Sequence, residues 1–193
     1  MKSSGIVYLS LMMALPMMGK SDVVFDLLGN SAIYSVLDGQ STASVTNGSL
    51  IATLSSSEGT LNRTASGFGM NGPGSDDTDA LNLDQYIDIT FDQTVRFKNV
   101  NVSSWGSGSS AEIRLGSNDV YTAMGTISTT GNAPFDFRIS GGQTVRIYAT
   151  GETTPTNGFS FDGFSVEAIP EPAVISFIAL ISLGSLAIRR MFN

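Results

Sequence analysis

Four stretches of the chain alternate apolar and polar side chains with a period of two, and this constrains the fold more than any other feature. Ile87, Ile89 and Phe91 alternate with Asp88 and Thr90, and Ala111, Ile113 and Leu115 with Glu112 and Arg114. Phe135, Phe137 and Ile139 alternate with Asp136 and Arg138, and Val145, Ile147 and Ala149 with Arg146 and Tyr148. Successive side chains of a strand project to opposite faces, so each stretch has one buried and one wetted side. Antiparallel sheets with one face in water carry this pattern. Further strand candidates are 23–28, 32–37, 49–54, 60–64, 95–102, 119–124 and 158–168, separated by turn signals such as Asn47-Gly48, Gly131-Asn132 and Gly141-Gly142. The apolar face shifts by one residue between Phe97 and Val100, and again between Phe161 and Phe164, which predicts bulges near Asn99 and Gly163. No sustained 3.6-residue period appears between the ends. The expected fold is all-β: an antiparallel, jelly-roll-like β-sandwich over residues 22–168.

A chain of 193 residues has room for one such domain and for segments at its ends. It has no cysteine, which excludes disulfides, thiolate metal sites and thiol nucleophiles, and no histidine, the commonest general base. Serine or threonine nucleophiles therefore lack a base of the Ser-His-Asp kind. Residues 22–168 hold sixteen acids against six bases, a net of −10. That balance argues against nucleic acid as a partner, because phosphate binding needs clustered positive charge.

The N-terminus reads as a signal peptide over residues 1–21. Lys2 precedes an apolar stretch, 5–18, and small residues stand at Gly19 and Ser21. Cleavage is expected between Ser21 and Asp22. The alternatives are an uncleaved anchor or a buried helix, but the stretch is short of the roughly 20 apolar residues a span requires, and Pro16 would break a helix near its end.

At the other end, Pro170, Glu171 and Pro172 precede an uncharged run, 173–188, closed by Arg189 and Arg190. A helix over that run would be about 24 Å long, somewhat less than a hydrocarbon core of about 30 Å. The arginines can snorkel to the headgroups, and they place the C-terminus on the cytoplasmic side. A Pro-Glu-Pro triplet, one membrane helix and a terminal basic cluster in this order resemble the PEP-CTERM sorting domain, here residues 169–193. The resemblance implies an exosortase-like membrane enzyme as partner, with processing near the triplet. It also implies a Gram-negative-type bacterium, with the protein in the inner membrane before processing and at the cell surface or in the extracellular matrix afterwards. Only two basic residues close the tail, where longer clusters are common in the family. An ordinary single-pass anchor after a proline-rich linker is the other reading.

Within the domain, segment 67–81 is rich in glycine and carries Asp76, Asp77 and Asp79. Calcium takes six to eight hard oxygen ligands, which three carboxylates and loop carbonyls can supply, although the spacing is not that of an EF-hand. The alternative is a solvated loop whose aspartates cap turns. Trp105, the only tryptophan, either stacks on a sugar ring with help from Tyr121 or Tyr148, or plugs the end of the core. The segment 158–166 is similar to the last strand of carbohydrate-binding jelly rolls. These features point to a non-catalytic surface or matrix protein interacting with polysaccharide or neighbouring proteins. A calcium-stabilised carbohydrate-binding module is the second reading. A carboxylate-based glycan-processing enzyme is the third, since twelve aspartates make some suitable pair almost inevitable.

Overall fold

The computed structural model of the chain describes residues 22–28, 34–64, 67–72, 80–103, 106, 108–151 and 158–169. Ser21, Asp76, Asp77, Asp79, Trp105, the triplet 170–172, the run 173–188, Arg189 and Arg190 lie outside the described residues. Asp22 is exposed and directly precedes the first strand.

Alternation becomes twelve strands among the described residues, and every pairing is antiparallel. One sheet contains β1 (Val23–Asp26), β12 (Ser160–Ala168), β7 (Val95–Ser103) and β10 (Gly131–Ile139), in that order. The second runs β2 (Thr42–Asn47), β3 (Leu50–Ser56), β6 (Tyr86–Phe91), β11 (Thr144–Thr150), β8 (Ser110–Ser117), β9 (Val120–Ile127). A separate hairpin pairs β4 (Thr60–Arg63) with β5 (Phe68–Asn71).

The inward residues of both larger sheets form one apolar cluster. From the six-stranded sheet come Leu54, Ile87, Ile89, Ile113, Val145 and Ile147. Phe25, Phe97, Val100, Phe161 and Phe164 come from the four-stranded one, and all eleven are essentially inaccessible to solvent. Phe164 is the hub. Its ring stacks on Phe25 at 4.7 Å, lies 6.0 Å from both Phe97 and Phe161, and meets Phe91 of the opposite sheet edge-on at 5.9 Å. The β4–β5 hairpin closes one end: Phe68 packs edge-to-face on Phe161, and its amide donates to the buried Ser160 hydroxyl at 2.8 Å.

Both expected bulges are present. Asp162 has no counterpart on β7, because Phe161 faces Val102 and Gly163 faces Asn101. Lys98 is the extra residue on β7, between Asn99 opposite Ser165 and Phe97 opposite Val166. At the first bulge Gly163 has φ +156°, and a Cβ there would lie 2.2 Å from the Phe25 carbonyl oxygen. Only glycine lets β1 close on β12 and bring Phe25 onto Phe164.

Three expectations need correction. Within 32–37 the described part is a 3-10 turn, Tyr34–Leu37, not a strand. Leu37 enters the core, and the chain then reverses at Asp38-Gly39, where the Gly39 amide donates to the Leu61 carbonyl. The segment expected at 119–124 starts one residue late and runs to Ile127. Asn118 and Asp119 both take positive φ, the two-residue hairpin turn whose twist matches that of the flanking strands. Phe68–Asn71, read as the start of a polar loop, is β5, whose Phe68 and Met70 are fully buried.

Replacing Phe164 by alanine removes four ring contacts at once and leaves a cavity between the sheets. Urea unfolding should show a loss of about 3–5 kcal/mol. A loss under about 1 kcal/mol, the range of ordinary surface changes, would show that the sandwich is not organised around this ring.

Candidate functional site on the outer face of the six-stranded sheet

With Ile87, Ile89, Ala111, Ile113, Val145 and Ile147 turned inward, the intervening residues of β6, β8 and β11 must face out. Those residues are Tyr86 and Asp88, Glu112 and Arg114, and Arg146 and Tyr148. Register then decides who meets whom. Arg146 sits opposite Asp88 on one side and Arg114 on the other, and Tyr148 sits between Tyr86 and Glu112.

Two arginines directly opposite each other on neighbouring strands repel. Here each has its own carboxylate. Arg146 grips Asp88 through two bonds of 2.8 and 2.9 Å, and Arg114 binds Glu112 through Nε at 2.8 Å. The rings complete the arrangement. The Arg146 guanidinium lies between Tyr86, at 3.6 Å from the ring centre, and Tyr121, at 3.9 Å, and it donates to the Tyr121 hydroxyl at 3.1 Å. Arg114 lies 4.0 Å over Tyr148. Tyr121 belongs to the edge strand β9 and reaches this position by crossing Gly116. A Cβ at 116 would approach the Tyr121 ring to 2.8 Å and the Val120 carbonyl oxygen to 2.1 Å, so the crossing requires glycine.

The titrating groups follow from these contacts. The Tyr148 hydroxyl donates to Asp84 at 2.6 Å, and this bond, more than burial, raises its pKa. For Tyr121 burial is the larger cause, with the Asp88 charge adding and Arg146 opposing. The bond to Asp88 raises Arg146 against the effect of burial. At neutral pH the face therefore presents neutral phenols and a firmly charged guanidinium. Ring faces, fixed donors and fixed carboxylate acceptors on one sheet face suit a ligand with both apolar ring surface and many hydroxyls.

Of the residues named from sequence, Tyr121 and Tyr148 come to this one face. Tyr86 belongs with them but was not anticipated. Its signal was available, since it shares the wetted phase of Asp88, one residue before Ile87. Trp105, which these tyrosines were expected to assist, lies outside the described residues. So do Asp76, Asp77 and Asp79, and among the described residues no group of three or more acidic side chains is placed to hold a metal. The outer face of the four-stranded sheet has a depression of about 260 Å³ beside the bulge, lined in part by Asp26, Asn99, Asn101 and Asp162. Asp162 accepts there from the Ser103 hydroxyl at 2.6 Å. No helix among the described residues is long and apolar enough to cross a membrane. No protein-family model matches the chain, and no curated protein matches it.

The raised Tyr148 pKa carries a sign. The unfolded tyrosine ionises near pH 10, before the folded one, so this contribution to stability is complete below about pH 10 and lost as pH rises through the folded value. Tyr148→Phe should shrink the alkaline fall in melting temperature. An identical alkaline profile in the variant would show that the Asp84 bond does not hold the phenol neutral.

Proposed function

We propose that this chain is an exported cell-surface or extracellular-matrix protein whose sandwich binds polysaccharide, without cutting it, on the outer face of the six-stranded sheet. Two lines support the reading. The first is the tail, where Pro170, Glu171, Pro172, the run 173–188 and the Arg189-Arg190 pair resemble a PEP-CTERM signal handled by an exosortase-like enzyme. The second, which carries the binding part, is the Tyr86–Arg146–Tyr121 stack with Tyr148 beside it. Polysaccharide offers what this face can use: apolar ring faces for the tyrosines, and hydroxyls for the paired arginines and carboxylates.

The jelly-roll form of the sandwich belongs to the same proposal. Without the β2–β3 and β4–β5 hairpins, the sheets read β1-β12-β7-β10 and β6-β11-β8-β9. Chain order then alternates between the sheets except at the β8–β9 hairpin, as in a doubled Greek key, the connectivity of jelly rolls. Absence of cleavage is argued from the residues themselves. No histidine or cysteine exists, and the carboxylates Asp88 and Glu112 of this face are each tied to an arginine.

The test is retention of the protein on immobilised bacterial polysaccharides, with Tyr86→Ala and Tyr148→Ala as variants. A retained glycan should lose at least about tenfold in affinity in each variant, about 1.4 kcal/mol, while the far-UV circular dichroism keeps its strand signature. Unchanged affinity in both variants would remove this face from the binding reaction. Appearance of new reducing ends over time would show an enzyme instead.

A further inference from the structure

A sandwich of two open sheets has four edge strands, here β1 and β10 in one sheet and β2 and β9 in the other. An exposed edge carries unpaired N–H and C=O groups that invite another strand, and proteins blunt edges with charge, proline, bulges or cover. Three of the four edges are treated in this way. The Asn47 side chain donates to the Val24 carbonyl at 2.7 Å, bridging the edges β1 and β2 to each other. The 3-10 turn packs against β2. On β10, Pro134 interrupts the donors, the pairing with β7 shifts between Pro134 and Phe137, and Asp136 lies in ion pairs with Arg96 and Lys98.

β9 is different. Its sequence, Val-Tyr-Thr-Ala-Met-Gly-Thr-Ile, contains no charge and no proline. Of five large apolar side chains exposed among the described residues, two are on this strand: Val120, 75% accessible, and Met124, 37%. Of the devices named above it carries one, a bulge opposite Ile113 and Arg114 that leaves Met124 as the extra residue, and it has neither charge nor proline.

We propose that β9 is a self-association edge, pairing antiparallel with β9 of a second copy of this chain about a twofold axis. Self-complementarity points to this occupant, and the strand's lack of charge permits it. Residues 22–168 carry a net of −10, so two copies repel over most of their surface, and a strand free of charge lets them approach. An antiparallel pair of identical strands is self-complementary, the condition for a closed twofold interface. Such pairing joins two six-stranded sheets into one continuous sheet. Because Tyr121 is on β9, it also sets the two Tyr86–Arg146–Tyr121 rows side by side on one outer face, doubling the platform along a polymeric ligand.

The chain has no cysteine, so one introduced cysteine reports its own neighbours without background. Thr122→Cys and Ala123→Cys lie at the middle of β9. Antiparallel pairing holds opposed Cα atoms at about 4.5–5.5 Å, within the range a disulfide spans. In the full chain under mild oxidation, at least one of these variants should give covalent dimer in large excess over Thr46→Cys on the bridged edge β2. Adding Met124→Lys should remove that excess, while circular dichroism shows the fold retained. Dimer formed equally at positions 46 and 122–123, or an excess that survives the lysine, would overturn the proposal. So would β9 cysteines that both react readily with a thiol reagent yet yield no dimer at either position. None of these results depends on whether the protein binds polysaccharide.

Discussion

Phe164 can touch Phe25 only because residue 163 has no side chain, and the rest of the sandwich is arranged around that contact. The bulge at Asp162 turns β12 so that Phe161 and Phe164, three positions apart, both point inward. A regular strand would send them to opposite faces. The result is a stack of rings from β1, β12 and β7 that meets Phe91 of the opposing sheet. Aromatic rings pack with definite geometry as well as burying large area, so this stack sets how the sheets lie on each other in a way aliphatic contacts alone would not. A bulge thus acts here as part of the design of the core.

Much of this was legible from period and turn chemistry. Ile87, Ile89, Val145, Ile147, Ala111 and Ile113 occupy the inward positions that their alternation requires, and the shifts in phase at 97–100 and 161–164 located both bulges. What escaped notice has a common cause, that short or marginal elements carry too few apolar residues to show a period. β2 offers only Ala43 and Val45, and β5 is four residues long with a glycine in it. The outer face was half legible. Each residue on it could be assigned to water, but which of them touch is decided by register, and register depends on long-range pairing such as β11 between β6 and β8. Arg146 and Asp88 are 58 residues apart in the chain, a separation no local pattern spans.

The two sides of the six-stranded sheet divide the labour. Its inner side supplies half the core. On its outer side, arginine and tyrosine are ordered by their neighbours before any ligand arrives: the guanidinium of Arg146 is held by Asp88 and by two rings. Ordering in advance reduces the entropy lost on binding, and it favours rigid repeating ligands over flexible ones. The same sheet ends in an edge whose lack of charge contrasts with the acidity of the remainder. The proposed ligand platform and the proposed self-association edge share a single residue, Tyr121.

In the proposed function, delivery to a surface would give such a platform a polymer to meet, and that part of the proposal rests on the two ends of the chain. Pro170 and Pro172 lack the amide hydrogen that a ladder needs, and proline disfavours helix at the residue before it. The proposed processing near the triplet would use such a linker, whereas an ordinary anchor has no need of it. The most direct measurement is the intact mass of the protein recovered from the surface or matrix of the cells that make it. The account predicts a mature chain beginning at Asp22 and lacking the residues beyond the 170–172 triplet. A surface form that retains both Met1 and Asn193 would contradict it.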